Sequence, residues 1–155
     1  MLGKWLYDKQ DWAPLLLRLS LGVIFFAHGA QKVLGWFGGY GWAGTMQFFT
    51  QTLHIPATLA AVAFLTEFLG GIALLLGFAT RWAALLIAGE MVVAALRVHV
   101  QNGFFMNWAN APDAGHGIEM NLALIGAALP LVITGSGILS LDRVLARTGW
   151  LKRGW

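Results

Sequence analysis

Residues 57–78 of this chain have the sequence ATLAAVAFLTEFLGGIALLLGF. Its 22 residues include one charged side chain, Glu67, and no proline. A helix needs roughly 20 mostly apolar residues to cross a hydrocarbon layer about 30 Å thick. The stretch therefore predicts a membrane-spanning helix.

Three further apolar blocks lie at about residues 13–34, 81–98 and 118–138. The chain as a whole has 155 residues, of which 58% are hydrophobic and 11% are charged. Soluble domains are nearer a quarter charged, so the lipid bilayer is the expected partner. A short N-terminal segment, two long connections, one tight turn and a basic tail remain outside the blocks, which leaves no room for a second folded domain. We predict an all-α fold, an integral membrane four-helix bundle that forms a single domain over residues 1–155.

The basic residues are distributed unevenly between the two ends of the predicted bundle. An even number of spans places seven of the ten Lys and Arg residues on one side: Lys4, Lys9, Arg81, Arg143, Arg147, Lys152 and Arg153. The opposite connections, residues 35–55 and 100–117, contain none. Because cytoplasmic flanks carry the excess of positive residues, we predict an inner-membrane protein with both termini in the cytoplasm.

The outer connections carry apolar side chains of their own. Met46, Phe49 and Leu53 share one face of residues 45–53, which predicts a short interfacial helix between spans one and two. Residues 103–108, GFFMNW, add aromatic surface at the same level. These segments either cover the bundle as a lid or simply anchor it at the interface.

The most informative side chains are the polar ones within the spans. The set comprises Arg18, His28, Gln31, Lys32, Glu67, Glu90, Arg97, Glu119 and Asn121. An Arg, Lys or Asp at the centre of a membrane helix costs about 2.5–3.5 kcal/mol, so unpaired charges are hard to accommodate. Three basic and three acidic residues balance. We therefore expect them to face inward and to pair in one polar core that opens outward.

The position of each charge along its helix refines this expectation. Counting about 1.5 Å per residue puts Glu67 and Glu90 near mid-membrane, and Arg18 near the inner face. Arg18 and Lys32 lie on one stripe of span one together with Gly22, Phe25 and Gly29, and small residues there permit close helix approach. Glu90 and Arg97 are seven residues apart and are expected to share a face of span three.

Each polar residue also has a purely structural interpretation. Arg18 and Lys32 are near enough to span ends to reach the headgroups, and His28 is equally well a packed, hydrogen-bonded histidine. Glu67 and Glu90 fit a structural ion pair or a protonated carboxyl as well as a functional role.

Several chemistries are excluded or disfavoured by composition. The chain has no cysteine, so it forms no disulfide, thiol relay or thiolate metal site. We expect no metal or haem site, because the histidines lack HxxxH or HExxH spacing. The net charge of +3 comes from the basic flanks, and nothing else points to nucleic acid.

A set of short motifs resembles the DoxX-like family of small integral membrane proteins. The motifs, in chain order, are RLSLG at 18–22, HGAQK at 28–32, GWFGG at 35–39, Glu67 followed by Gly70-Gly71, Thr80-Arg81, Glu119, and GSGILSLD at 135–142. No single motif is specific, but their order and spacing extend over nearly the whole chain.

The resemblance implies a four-helix membrane bundle and a subunit of an oxidoreductase system. By analogy, His28 and Lys32 would donate hydrogen bonds to a quinone headgroup, and Glu67 and Glu90 would carry protons. The residues Gln31, Arg97, Glu119 and Asn121 would complete the ligand-binding core, with Arg18 as a structural polar group. Electrons would then come from a partner protein.

Two other functions stay open, an accessory or scaffold subunit and a carrier for a small solute. Neither the existence of an enzyme activity nor a homo-oligomeric state follows from the sequence.

Overall fold

The structure, a computed structural model, describes residues 12–112 and 114–148. Within these ranges the chain forms helices and no strand. The α-helices are α1 (Trp12–Val33), α2 (Gly41–Gln47), α3 (Ala57–Leu76), α4 (Thr80–Ala94), α5 (Glu119–Thr134) and α6 (Leu141–Arg147). The predicted all-α class is confirmed for this part of the chain. Lys4, Lys9, Lys152 and Arg153, which contribute to the predicted orientation, lie outside the described residues.

Three helical segments in the described ranges are long and apolar enough to cross a membrane. They are Trp12–Val33, Ala57–Leu76 and Thr80–Asn102. The third is α4 continued by a wide, π-type turn at Ala95–His99 and a 3-10 turn at Val100–Asn102. It therefore extends past the predicted end at residue 98.

The fourth apolar block forms a shorter helix than predicted. Helix α5 has 16 residues, which is about 24 Å at 1.5 Å per residue, and it ends at Thr134 rather than near residue 138. Gly135 ends it with φ of 81° and ψ of −155°, a conformation open essentially to glycine alone. Apolar composition does not reveal this stop, because Ile138 and Leu139 continue the hydrophobic run.

The long helices pack in two main pairs, α1 against α3 and α4 against α5. Contacts of α3 with α4 and of α1 with α5 join the two pairs. The shared core is apolar and includes Leu21, Phe25, Leu74, Ile87 and Leu131. Buried aliphatic and aromatic side chains thus hold the four helices side by side.

Glycines bring α1 and α3 together. A methyl group added at Gly29 would lie 2.4 Å from the Cα of Phe68, and one added at Gly71 would lie 2.3 Å from the backbone nitrogen of Phe26. Both distances are far below van der Waals contact, so the two backbones approach as closely as they do only because neither position has a Cβ. The predicted small-residue stripe on α1 is confirmed.

The connection between α1 and α3 is helical, as predicted. Helix α2 continues into a π-type turn at Phe48–Thr52. Trp42 and Phe49 place their rings edge-on against Phe64 of α3, with centroids 5.6 and 4.9 Å away. The segment therefore covers one end of α3.

Candidate functional site

Lys32 and Glu67 form an ion pair between α1 and α3. The Nζ atom of Lys32 donates a hydrogen bond to Oε2 of Glu67. Glu67 is almost fully enclosed, with 7% of its side chain accessible, whereas 24% of the Lys32 side chain is accessible. The pairing expected from the charge balance is confirmed for these two residues, and Lys32 connects the buried carboxylate to the protein surface.

Glu90 of α4 adds a second carboxyl to this pair. It interacts electrostatically with both Glu67 and Lys32, and its carboxyl is close enough to that of Glu67 to form a hydrogen bond when one of the two carries a proton. Its Oε2 atom is buried and accepts no hydrogen bond from any N–H group of the described residues. The cluster of Lys32, Glu67 and Glu90, called the carboxyl cluster below, therefore holds two acids and one base.

The close approach of α1 and α3 sets the geometry of the carboxyl cluster. A methyl group at Gly29 would lie 2.8 Å from the carbonyl carbon of Glu67. Lys32 is three residues, or nearly one turn, beyond Gly29, so its ammonium group extends along the same face. The glycine thus places the base beside the acid.

Asn121 is buried on α5, where its Nδ2 atom lies 3.7 Å from the sulfur of Met91. Met91 follows Glu90 on α4, but the contact is with the thioether and not with the carboxyl. Asn121 therefore faces inward, as expected. Its partner on α4, Met91, is the sequence neighbour of Glu90.

Two of the predicted ligand-binding residues hold loops in place. The side-chain amide of Gln31 donates to the carbonyl of Phe37 at 3.3 Å. Oε2 of Glu119 accepts from the backbone nitrogen of Met106 at 2.9 Å. Both residues lie at the end of the molecule where α1 finishes and α5 begins, and both contact backbone rather than the carboxyl cluster.

His28 and Arg97 are exposed, so the expectation that they face inward is wrong. His28 precedes the buried Gly29, and successive residues of a helix point about 100° apart. Arg97 lies within the π-type turn at Ala95–His99, which widens the helix and shifts every later side chain out of the seven-residue phase shared with Glu90.

Arg18 is fully buried. It lies at the end of the molecule opposite to the one where α1 finishes and α5 begins. Its guanidinium donates to the carbonyls of Leu74 at 3.0 Å, Leu75 at 2.7 Å and Ser136 at 3.1 Å, and also to those of Ile138 and Leu139. These carbonyls belong to the end of α3 and to the loop after α5. Arg18 is therefore enclosed by protein rather than directed toward the headgroups, and its structural role stays a prediction that these contacts support.

Sequence reasoning missed Asp142 as a structural residue. Its Oδ1 and Oδ2 atoms accept hydrogen bonds from the backbone nitrogens of Ala79 at 2.7 Å and Thr80 at 3.0 Å, at the start of α4. A carboxylate satisfies and stabilises the free N–H groups of a helix N-terminus. Asp142 closes the motif GSGILSLD, but nothing in that motif indicates the contact with the start of α4.

Metal-ligating side chains are scattered rather than grouped. Within residues 12–112 and 114–148, no three His, Cys, Asp or Glu side chains come close enough together to hold a metal ion.

Comparison with known proteins identifies the family. The DoxX family model matches residues 13–100, which is more than half of the chain. The chain belongs to the DoxX family. The match to DoxX extends over α1, α3 and α4, and therefore over Arg18 and all three members of the carboxyl cluster.

Relatives of this DoxX chain support a membrane location. Inner membrane protein YqjF of Escherichia coli (strain K12) is 32% identical over 136 residues, covering 88% of this chain and 94% of that protein. Inner membrane protein YphA of the same organism is 31% identical, covering 83% of this chain and 87% of its own length.

A third relative carries an activity in its name. The Bacillus subtilis (strain 168) protein named "Putative oxidoreductase CatD" is 33% identical over 128 residues, which is 83% of each chain. No solved structure matches this chain.

Proposed function

We propose that this DoxX protein is a small subunit of an oxidoreductase system of the inner membrane that binds a quinone or a similar headgroup at the carboxyl cluster. The observation that carries the proposal is the buried Oε2 atom of Glu90, which accepts no hydrogen bond from any N–H group of the described residues and lies in the cluster with the Lys32–Glu67 pair. A buried polar group without a partner costs about 1–3 kcal/mol. A headgroup would relieve this cost in either of its forms, because a quinol hydroxyl would donate to the Glu90 carboxylate and a protonated Glu90 would donate to a quinone carbonyl. The relative named as an oxidoreductase supports the same class.

In this proposal α5 crosses the membrane as a fourth span, and both termini face the cytoplasm. Helix α5 runs beside the apolar segment Thr80–Asn102 from one end to the other. A methyl group at Gly117 would lie 2.5 Å from the carbonyl oxygen of Gly103, and one at Gly135 would lie 3.4 Å from Nε of Arg81. In this proposal the α5 region spans the same thickness of the bilayer as the segment Thr80–Asn102. The bilayer would thin locally to accommodate the short helix. The basic residues beside the Arg18 end set the orientation.

Charge balance indicates how the carboxyl cluster works. Two carboxylates and one ammonium would leave a net negative charge in a dry interior, which is costly. In this proposal Glu90 carries the proton that brings the cluster to neutrality, while Glu67 stays paired with Lys32 and the partly accessible Lys32 connects the cluster to the surface.

A quinone headgroup fits this site, because its carbonyl oxygens accept hydrogen bonds and its reduction takes up two protons along with two electrons. Lys32 would donate a hydrogen bond to a headgroup oxygen. Glu90 would deliver the two protons one after the other, and between the two steps it would be reprotonated from the surface beside Lys32. The chain lacks cysteine, so in this proposal the electrons come from a partner protein.

Quinone binding is tested on protein purified from its native membranes. Mass spectrometry of the solvent extract is expected to show a quinone at a stoichiometric level. A soluble quinone analogue should raise the melting temperature of the delipidated protein, and Glu90→Gln should weaken this binding about tenfold. Glu119→Gln is the matched control, because that carboxyl bonds a loop nitrogen and lies outside the cluster. The absence of both co-purified quinone and analogue binding would refute the quinone proposal.

Cross-linking in native membranes tests the subunit role separately. A redox-active partner captured at a fixed ratio supports it. Recovery of the chain alone, with full function in reconstituted vesicles, would contradict it.

A further inference from the structure

Helix α6 presents apolar side chains away from the protein. Leu141 and Val144 are 43% and 55% exposed, and Leu139, just before the helix, is 75% exposed. Asp142 and Ala146, on the other side of α6, line a cleft with the start of α4 and the end of α5. A surface helix of a soluble protein has the opposite arrangement, with its apolar face inward. The exposed residues Leu139, Leu141 and Val144, called the α6 surface below, therefore indicate an apolar neighbour outside the chain.

Hydrogen bonds fix the level of α6 relative to the membrane-spanning helices. The carboxylate of Asp142 accepts from the backbone nitrogens of Ala79 and Thr80, and the backbone nitrogen of Asp142 donates to the carbonyl of Gly77 at 2.9 Å. Thr80 is the first residue of the apolar segment Thr80–Asn102. The start of α6 therefore lies at the level where that segment enters the bilayer.

Aromatic and basic side chains at this end of the molecule fit the same level. Trp12 begins α1 and Trp82 lies in the first turn of α4, and each is about half exposed. Tryptophan at the ends of membrane helices is typical of the headgroup region. Arg147 is exposed at the end of α6, and Lys152 and Arg153 follow in the sequence. Basic residues beside an apolar surface complement anionic headgroups.

We propose that the α6 surface lies in the headgroup region of the leaflet at the Arg18 end and binds anionic phospholipid there. Leu141 and Val144 contact acyl carbons, and Arg147 lies beside the headgroups. Lipid fits this surface better than a second copy of the chain does, because three aliphatic side chains offer far less area than the roughly 1,200–2,000 Å² that a stable protein interface buries.

This inference does not depend on quinone binding or on the carboxyl cluster. The proposed orientation serves only to identify the leaflet as the cytoplasmic one, so a failure of either proposal leaves the other intact.

Fluorescence quenching tests the contact with lipid. The chain has no cysteine, so Val144→Cys and Ala146→Cys each give one site for a bimane label. The labelled full chains are reconstituted in vesicles of phosphatidylcholine and phosphatidylglycerol. Lipid with brominated acyl chains should quench the label at Val144 more strongly than the label at Ala146, which is the matched control on the other side of α6. Aqueous iodide should give the reverse order. Both residues have exposed side chains or line an open cleft, so the melting temperature of each variant should stay close to that of the wild type.

The choice of the brominated lipid tests the preference for an anionic headgroup. Brominated phosphatidylglycerol should quench the label at Val144 more than brominated phosphatidylcholine does at the same mole fraction. Arg147→Gln should reduce this preference about fivefold, the usual contribution of one basic residue near an anionic surface. Arg97→Gln is the matched control, since Arg97 is also exposed but lies near the other end of the segment Thr80–Asn102.

Several results would overturn the proposal. Strong quenching of the Val144 label by iodide would place the α6 surface in water. A label shielded from both iodide and brominated lipid would indicate that a second copy of the chain or another protein covers it. Equal quenching by the two brominated lipids, or equal effects of Arg147→Gln and Arg97→Gln, would contradict the anionic partner.

Discussion

Replacement of Gly29 by alanine tests whether backbone contact between α1 and α3 organises the carboxyl cluster. The added Cβ would lie 2.4 Å from both the Cα and the nitrogen of Phe68. Ordinary carbon contacts are about 3.5–4.0 Å, so α1 and α3 must separate by roughly 1 Å or more. All three of the nearest atoms belong to backbone, and no side-chain rotation relieves the overlap.

The expected change in the free energy of unfolding combines two opposing contributions. Overpacking costs about 1–3 kcal/mol, and the rigid contact favours the upper part of that range. Alanine in place of glycine within a helix gains up to about 1 kcal/mol. Gly29→Ala should therefore lower the free energy of unfolding by about 1–2 kcal/mol.

Gly89→Ala is the matched control, because a methyl group there would meet no atom of the described residues within 4 Å. It should leave the free energy of unfolding unchanged or raise it by up to about 1 kcal/mol. Both variants are unfolded by denaturant in mild detergent and followed by circular dichroism. Equal stability of Gly29→Ala and Gly89→Ala would refute the close-contact reasoning.

Three further predictions address the polar network. Lys32→Met and Glu67→Gln should each lower the free energy of unfolding by about 1–3 kcal/mol, less than for a fully buried pair because Lys32 is partly accessible. Their effects on denaturant unfolding should be non-additive by at least about 0.5 kcal/mol in the double variant, and additivity would argue against the ion pair. Arg18→Lys should cost about 2–4 kcal/mol in the same assay, because an ammonium has three donors for five carbonyls; a wild-type unfolding curve would contradict this. Asp142→Asn should lower the melting temperature by an amount equivalent to about 0.5–2 kcal/mol, since one acceptor oxygen and the charge at the start of α4 are lost; an unchanged melting temperature would count against the cap.

The helices were predictable where apolar length alone determines them. Helix α3 begins at Ala57 as predicted, because Pro56 and a long uninterrupted apolar run mark its start. The end of α5 was not predictable from hydrophobicity, since Gly135 stops the helix by its backbone conformation while the apolar sequence continues. Hydropathy therefore predicts where an apolar helix lies, but the residue at which the helix ends depends on backbone conformation.

The candidate site was predictable to the extent that charge must be compensated inside a membrane. That requirement predicted paired charges facing inward, which the structure shows for Lys32 with Glu67, but it did not name the partners and left the burial of Arg18 open. It did not identify the outward orientation of His28 and Arg97, because helical phase is sensitive to a single residue and a π-type turn changes it. Asp142 meets the start of α4 across 63 positions of sequence, and no local pattern encodes such a contact.

Buried charged side chains differ in how completely they are hydrogen-bonded at the two ends of the molecule, and this difference bears on the proposed function. Arg18 meets five carbonyls, so its guanidinium is satisfied entirely within the protein and serves packing. At the carboxyl cluster the satisfaction is incomplete, since no N–H group of the described residues donates to the buried Oε2 of Glu90, and Lys32 is partly open to the surface. Charges that served packing alone would not require a buried acceptor without an N–H donor beside two other ionisable groups. The incomplete pairing, more than the presence of buried charge, separates the carboxyl cluster from the structural network around Arg18.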